Sequence, residues 1–280
     1  MINKAIYDEL CETTSKKTTR LYSTSFSLGI RFIHKSLRQP IYNIYGFVRL
    51  ADEIVDSFGG FDQSVLLSEL KNDCFKAIER KISSNPLLNA FQSTVNKYDI
   101  DHELIDCFLK SMEMDLAPVN FNAREYDQYV LGSAEVVGLM CLRVFTNGDA
   151  IIYGQLKPFA MQLGSAFQKI NFMRDLNADY LQLSRSYFPA VNLAKFSQAD
   201  KLNIEKEIET EFDAALQGIK ALPQTSGVGV YLAYTYYRKL FQMIKKQNPD
   251  QLLARRIRVS NWKKIILMIE ARIRYSIRLF

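Results

Sequence analysis

Between Leu163 and Tyr180, apolar residues recur at the helical period, and Gln168, Asn171, Asp175 and Asp179 interrupt them. Asn171, Asp175 and Asp179 are each four residues apart, which stacks them one above another on a helix face, with Gln168 beside them. Leu163, Phe167, Ile170, Phe172, Met173 and Leu176 surround that face with apolar side chains. Carboxylates in such surroundings repel one another and lose hydration, so a positive charge must meet them. An all-oxygen donor set suits a hard divalent cation, most naturally Mg²⁺ shared with a substrate phosphate. Taken alone, the stretch reads more simply as a solvated helix face, with Arg174 paired to a neighbour.

That simpler reading weakens at Tyr45-Gly46-Phe47-Val48-Arg49-Leu50-Ala51-Asp52-Glu53-Ile54-Val55-Asp56. Asp52 and Asp56 are again four apart, Arg49 stands three before Asp52, and Phe47, Val48, Leu50, Ile54 and Val55 make the helix apolar. A solvated face rarely explains two such pairs. Four carboxylates facing one another across a bundle cavity would hold several Mg²⁺ ions and, through them, a diphosphate.

The rest of the chain supplies a frame for such a cavity. Helical periods are expected over 4–20, 38–56, 62–82, 86–97, 101–114, 123–145, 151–182, 199–221, 228–246 and 260–276. Breakers separate them: Gly59-Gly60, Pro86, Pro118, Asn147-Gly148, Pro189, Pro223, Gly227-Val228-Gly229 and Pro249. Strand-like alternation is scarce, so the expected fold is an all-α bundle in one domain, residues 1–280. The run Tyr22-Ser23-Thr24-Ser25-Phe26-Ser27 suits a loop whose hydroxyls hold phosphate oxygens, or more plainly a turn with capping serines. Residues 57–120 offer bundle walls, with Glu113 and Asp115 read as solvated. Gly132, Ser133, Ala134 and Gly138 permit close helix packing or leave room for a bulky ligand, and Tyr129 is placed to point into the same space. Ser184-Arg185-Ser186-Tyr187-Phe188-Pro189 reads as a loop over the cavity mouth, and 199–221 as a charged exterior helix.

Charge and composition narrow the function classes. The net charge is +6, but residues 251–280 carry eight Lys/Arg against one acid, Glu270, leaving residues 1–250 at net −1. In the tail, Trp262, Ile265, Ile266, Ile269, Ile273, Ile277 and Phe280 follow a helical spacing, with Lys and Arg on the other sides. The safer expectation is a packed last helix with a basic outer face; the sharper one is contact with anionic lipid. No aromatic-interleaved basic groove accompanies the charge, so nucleic acid is not an expected partner. Only two histidines exist, His34 and His102, which argues against His-based zinc sites and Ser-His-Asp chemistry. Cys11, Cys74, Cys107 and Cys141 form no zinc spacing and read as reduced thiols of a cytosolic protein. The polar stretch Met1–Lys17 lacks a signal-peptide apolar core.

Together these motifs carry a resemblance. Tyr45, Arg49, Asp52 and Asp56 match the first aspartate motif of the squalene/phytoene synthase family of head-to-head prenyl transferases, and Gln168, Asn171, Arg174, Asp175 and Asp179 match its second, QxxNxxRDxxxD. Tyr22 to Phe26, the stretch Tyr129 to Gly138 and Tyr237 match further family positions, so the resemblance runs from about Tyr22 to Lys264. The DDxxD of linear chain-elongating prenyl transferases is absent.

The resemblance implies a helical bundle of the class I isoprenoid synthase type with a central cavity. It implies Mg²⁺, with Mn²⁺ as the alternative ion, held by Asp52, Asp56, Asp175 and Asp179 with Asn171 as a further ligand or partner. Arg49, Ser23 and Ser25 would hold phosphate oxygens. Phe26, Tyr45, Gln168, Arg174 and Tyr237 would contact substrate, and Tyr129 would handle a proton. The local wording GSAEVVG and RDLNADY looks most like bacterial phytoene synthases, which condense two geranylgeranyl diphosphates. The alternatives are a farnesyl diphosphate-using squalene or dehydrosqualene synthase, and a non-catalytic assembly factor of the same fold. NADPH is not expected. The expected location is the cytoplasm, with peripheral attachment at the inner face of the membrane as a variant of it.

Overall fold

Side-chain caps set most helix N-termini. Asn122 with Glu125, Ser197 with Asp200 and Asn248 with Gln251 each form a reciprocal capping box, satisfying backbone N–H groups that a first turn leaves without partners. Asn85 caps a helix that begins with Pro86, where the missing N–H costs nothing. Lys81, Asp99 and Asn147 stop helices with positive φ.

In this computed structural model the described residues are 4–117, 121–183, 187–189, 191 and 195–277, with the backbone alone for 178–183 and 261. Their helices are α1 (Lys4–Tyr22), α2 (Thr24–Ile30), α3 (Lys35–Ser57), α4 (Gln63–Arg80), α5 (Pro86–Tyr98), α6 (His102–Met114), α7 (Ala123–Val130), α8 (Val136–Phe145), α9 (Ala150–Leu183), α10 (Gln198–Ala221), α11 (Gln224–Lys245), α12 (Pro249–Ala254) and α13 (Asn261–Ser276). Gly59 and Phe61 form an isolated bridge, and no strand occurs among the described residues. The expected all-α bundle is the fold.

Two large apolar clusters hold the helices. One gathers α3 to α6 and α8 around Phe47, whose ring stacks on Phe91 at 4.0 Å and meets Phe108 edge-on at 5.7 Å. The other gathers α7 and α9 to α13 around Ile170, Phe212 and Phe241. A buried polar staple ties α9 to α10: Lys169 Nζ donates to Glu211 at 2.7 Å and Glu207 at 3.1 Å, and Ser165 donates to Glu211 at 2.7 Å. Burial alone would lower Lys169, but the two glutamates outweigh it and raise it, so the ammonium stays charged.

Several expectations need correction. Residues 24–30 are helical rather than a loop, because Ser23 caps them by accepting from the Phe26 N–H at 3.2 Å. The expected helix 123–145 is interrupted by a π-turn at Leu131–Glu135. There the backbones approach closely: a Cβ on Gly132 would lie 2.7 Å from the Cys107 carbonyl, and one on Gly164 would lie 2.9 Å from that of Ala134. The stretch Ala123–Phe145 is long and apolar enough to cross a bilayer by length and composition, but half of its most apolar window is buried, as in a core helix.

Gly227-Val228-Gly229 does not break a helix. It lies inside α11, where Gly227 makes room for the Tyr275 hydroxyl and Gly229 for Ile33. α12 starts at Pro249, read from sequence only as a breaker. α10 is not purely exterior: Ile208, Phe212, Ala215 and Ile219 are buried, and so is its Lys201–Glu205 ion pair. The last helix reverses the packed expectation. Its Trp262 and isoleucines face outward, while Leu267, Met268, Ala271 and Tyr275 pack inward.

Candidate active site

One cavity of about 620 Å³ opens between α2, α3, α8, α9, α10, α11 and α13. Along α9 its wall runs from Leu156 to Arg174, a rise of about 27 Å at 1.5 Å per residue. Leu156, Phe159 and Ile41 make one end apolar; Arg49, Gln168, Asn171, Arg174, Tyr237 and Arg256 make the other polar. The small residues of the central stretch serve both sequence readings. Ser133, Ala134 and Gly138 line the cavity, whereas Gly132 packs against α6.

The first aspartate motif lies near the C-terminal end of α3. Arg49 forms ion pairs with Glu53 and, at 3.8 Å, with Asp52, and its guanidinium lies 4.3 Å from the centre of the Tyr22 ring. Arg49 Nε is buried without a hydrogen-bond partner. Burial pushes Asp52 up to about 7; Arg49 opposes this, while Asp56 and Asp115 add to it. Asp56 is exposed at the outer side of the same helix.

On α9 the second motif forms a polar chain across the cavity. Tyr237 donates to Asn171 Oδ1 at 3.2 Å, Asn171 donates to Gln168 at 3.4 Å, and Gln168 donates to Ser133 at 3.2 Å. The Tyr237 ring stacks on Phe167 at 3.8 Å. Asp175 is held by two guanidiniums: Arg174 at 2.5 Å and Arg256 at 2.6 Å. The Asp179 backbone continues the helix, and its side chain lies outside the described residues. Among the described residues no three His, Cys, Asp or Glu groups converge closely enough to cage a metal ion. Asp52 and Asp175 are paired with arginines instead.

Ser23, Ser25, Phe26 and Tyr45 all reach the same cavity, and Phe26 stacks on Tyr45 at 5.1 Å. Burial raises the Tyr45 hydroxyl to about 12, against lowering by Arg49 and by a hydrogen bond with Ser23. Of the four tyrosines on α11, Tyr236 and Tyr237 line the cavity, and Tyr231 and Tyr234 are core.

Tyr129 is set differently from the expectation. It is 4 % exposed, lies outside the main cavity wall, and donates its hydroxyl to Asp115 at 2.8 Å. Tyr187 stacks on it at 5.2 Å, with Phe121 and Phe172 alongside. Burial first, then Asp115, keeps its phenol protonated, well above its ordinary value. Asp115 is 7 % exposed, so its reading as solvated is corrected. It turns inward because the Tyr129 hydroxyl provides a buried donor. Tyr187 and Phe188 of the expected mouth loop are buried among these aromatics; Ser184, Arg185 and Ser186 lie outside the described residues.

Three polar groups at the site lie outside the expected set: Glu53, Asp115 and Arg256. Glu53 was legible as an i+4 partner of Arg49. Asp115 and Arg256 carry no local signal, since α6 and the segment after α12 reach the site only through the tertiary fold.

Known proteins resemble this chain in sequence and in fold. The family model for squalene/phytoene synthase matches residues 19–263. The phytoene synthase of Arthrospira platensis is 28% identical, over 95% of this chain and 92% of its own length. The 4,4'-diapophytoene synthase of Staphylococcus haemolyticus is 25% identical, over 87% of this chain and 90% of its own. In solved structures, a dehydrosqualene synthase in complex with ligand superposes with a TM-score of 0.82 at 19% identity, covering 96% of this chain and 98% of that one. The squalene synthase HpnC from Alicyclobacillus acidocaldarius gives 0.75 at 20% identity, with 86% and 94% covered. At those identities the structures speak to the fold alone, which is the isoprenoid synthase bundle. The family match spans both aspartate helices and nearly all of the cavity wall, and on it the chain belongs to the squalene/phytoene synthase family of prenyltransferases.

Proposed function

We propose that this protein condenses two molecules of geranylgeranyl diphosphate head to head into phytoene, releasing diphosphate. One observation carries the reading: a deep apolar cavity ends in Arg49, Arg174 and Arg256, which are ion-paired with Asp52 of the first aspartate motif and Asp175 of the second. The likeness to the phytoene synthase of Arthrospira platensis, at 28% identity, supports geranylgeranyl diphosphate as the substrate.

The residues fit Mg²⁺ or a similar divalent ion. The donors are all oxygen, and Asp56 and Asp115 lie near enough to Asp52 for their charges to act on it. Asp52, Asp56, Asp175 and Asp179 would hold the ions, with Asn171 beside them. Bound there, the ions would neutralise diphosphate charge and make it a better leaving group.

The chain's own groups do the rest. Arg174 and Arg256 exchange Asp175 for phosphate oxygens, and the unpartnered Arg49 Nε donates to another. Ser23 and Ser25 hold further oxygens from the α2 end. Departure of diphosphate leaves an allylic cation, which the double bond of the second prenyl chain attacks; loss of a proton to the departed diphosphate closes the ring and gives a cyclopropylcarbinyl diphosphate. A second ionisation, rearrangement and proton loss give the C1–C1′ coupled hydrocarbon. Phe26, Tyr45 and Phe167 face the cations with ring quadrupoles and keep water out. Tyr129 stays protonated and acts through Asp115, orienting the aspartate end of the site rather than accepting the proton.

The test is a product assay. Purified protein is incubated with Mg²⁺ and either geranylgeranyl or farnesyl diphosphate, with and without NADPH, and the hydrocarbon is identified by mass spectrometry. A C40 product from geranylgeranyl diphosphate without NADPH is expected. A C30 product from farnesyl diphosphate alone moves the protein to the squalene and dehydrosqualene side. No product from either overturns the catalytic reading in favour of a non-catalytic assembly role.

A further inference from the structure

α13 has two faces that do different things. At 100° per residue, Lys264, Leu267, Met268, Ala271 and Tyr275 fall on one side. Lys264, Leu267 and Met268 line the cavity, Ala271 is buried, and the Tyr275 hydroxyl fits the space left by Gly227. The opposite side carries Trp262, Ile265, Ile266, Ile269, Ile273 and Ile277, exposed by 61%, 54%, 51%, 58%, 55% and 62%. These are six of the fifteen exposed large apolar side chains among the described residues, gathered on one short helix. Such a stripe signals a partner.

The charges around the stripe identify the partner. Lys263 and Arg274 lie along one edge and Arg272 along the other; the acid on this helix, Glu270, is paired with Arg274 at 2.7 Å. Exposed Arg255 and Arg258 precede the helix. Cations on both edges of an apolar stripe would repel a second copy laid face to face. They complement anionic headgroups, into which Lys and Arg reach while the isoleucines sit among acyl chains. Sixteen residues with this many charges do not cross a bilayer, so the helix lies along it. Lys264 Nζ is 3.3 Å from Thr24 Oγ1, which brings the start of α13 beside Leu21 and Tyr22, themselves 72% and 51% exposed.

We infer that α13 is an interfacial helix that docks the enzyme on an anionic lipid bilayer. One helix then forms both the membrane contact and a wall of the cavity. Leu267 and Met268 stand between the cavity and the lipid-facing side, so a water-insoluble product leaves past them into the bilayer. That exit role rests on the reaction proposed above; the docking surface does not.

The test uses the full chain and sedimentation with vesicles of phosphatidylcholine alone or mixed in equal parts with phosphatidylglycerol. Binding to the mixed vesicles is expected, weakened by salt and weak on phosphatidylcholine alone. The variant Ile266→Asp/Ile269→Asp/Ile273→Asp replaces exposed side chains, so it should keep the native circular dichroism and its turnover of detergent-dispersed substrate. It should bind mixed vesicles more than about tenfold more weakly. Absence of binding by the native chain, or equal binding by the variant, overturns the proposal. So does a native dimer by light scattering that the variant dissolves while vesicles remain unbound. Failure of the product assay with intact vesicle binding would sink the reaction and leave the docking surface standing.

Discussion

Arg256 shows how a residue without a motif enters a site. It follows α12, 81 positions from Asp175, yet its guanidinium is 2.6 Å from that carboxylate and lines the cavity. A charged hydrogen bond contributes about 1.5–3 kcal/mol, so Arg256→Gln should weaken diphosphate binding by roughly 10- to 100-fold while leaving the fold intact. Titration with inorganic diphosphate and Mg²⁺ checks this, and unchanged affinity would remove Arg256 from the site. Glu135, on the π-turn, tests the electrostatics away from the chemistry. Burial raises it from 4.5 to about 7, with Glu211 and Asp127 adding and Lys169 opposing. A carboxyl raised in the folded state favours folding while protonated, and that contribution is lost as pH rises through about 7. Glu135→Gln should therefore match the native protein near pH 4 and melt a few degrees higher above pH 8. Thermal melts that run parallel across this range would refute the shift.

At the scale of elements, periodicity was enough to place nine helices and the span of a tenth, 123–145, which the π-turn divides, because each has an apolar stripe and identifiable breakers. Packing overrode local signals in the rest. Gly227 and Gly229 look like a break, but close approach by α13 and by Ile33 keeps α11 continuous through them. Gly132 marks the π-turn, where a side chain would meet Ser111 Cβ at 2.6 Å and the Cys107 carbonyl at 2.7 Å. Backbone cannot yield as a side chain can, so Gly132→Val should cost at least 1–3 kcal/mol, read by denaturant unfolding. The α9–α10 staple gives a second test. Lys169→Ala strands Glu211, which is largely buried, and should destabilise by roughly 3–5 kcal/mol. A loss well below 1 kcal/mol in either variant would show that the contact is not a constraint.

Across the whole molecule, the spacing of the two aspartate motifs was legible because i, i+4 carboxylates on apolar helices are anomalous wherever they occur. The shared cavity expected from them takes Arg49 from α3 and Gln168, Asn171 and Arg174 from α9 into its wall, although more than ninety residues separate the two helices. Of the arginine cover, Arg49 and Arg174 were legible from their spacing to the aspartates, whereas Arg256 was not, because only the tertiary fold brings it to Asp175. The orientation of α13 was ambiguous for a different reason: its Ile stripe and its Leu267-Met268-Ala271 face are both apolar, so periodicity alone could not say which one packs.

The central claim is that the two aspartate helices form a single diphosphate-ionising site. Release of inorganic diphosphate from geranylgeranyl diphosphate, measured with and without Mg²⁺, tests it in the native protein and in Asp52→Asn and Asp175→Asn. Mg²⁺-dependent release should fall by at least about 100-fold in each variant, with circular dichroism unchanged. Native release that ignores Mg²⁺, or a variant that releases diphosphate at the native rate, would contradict the account.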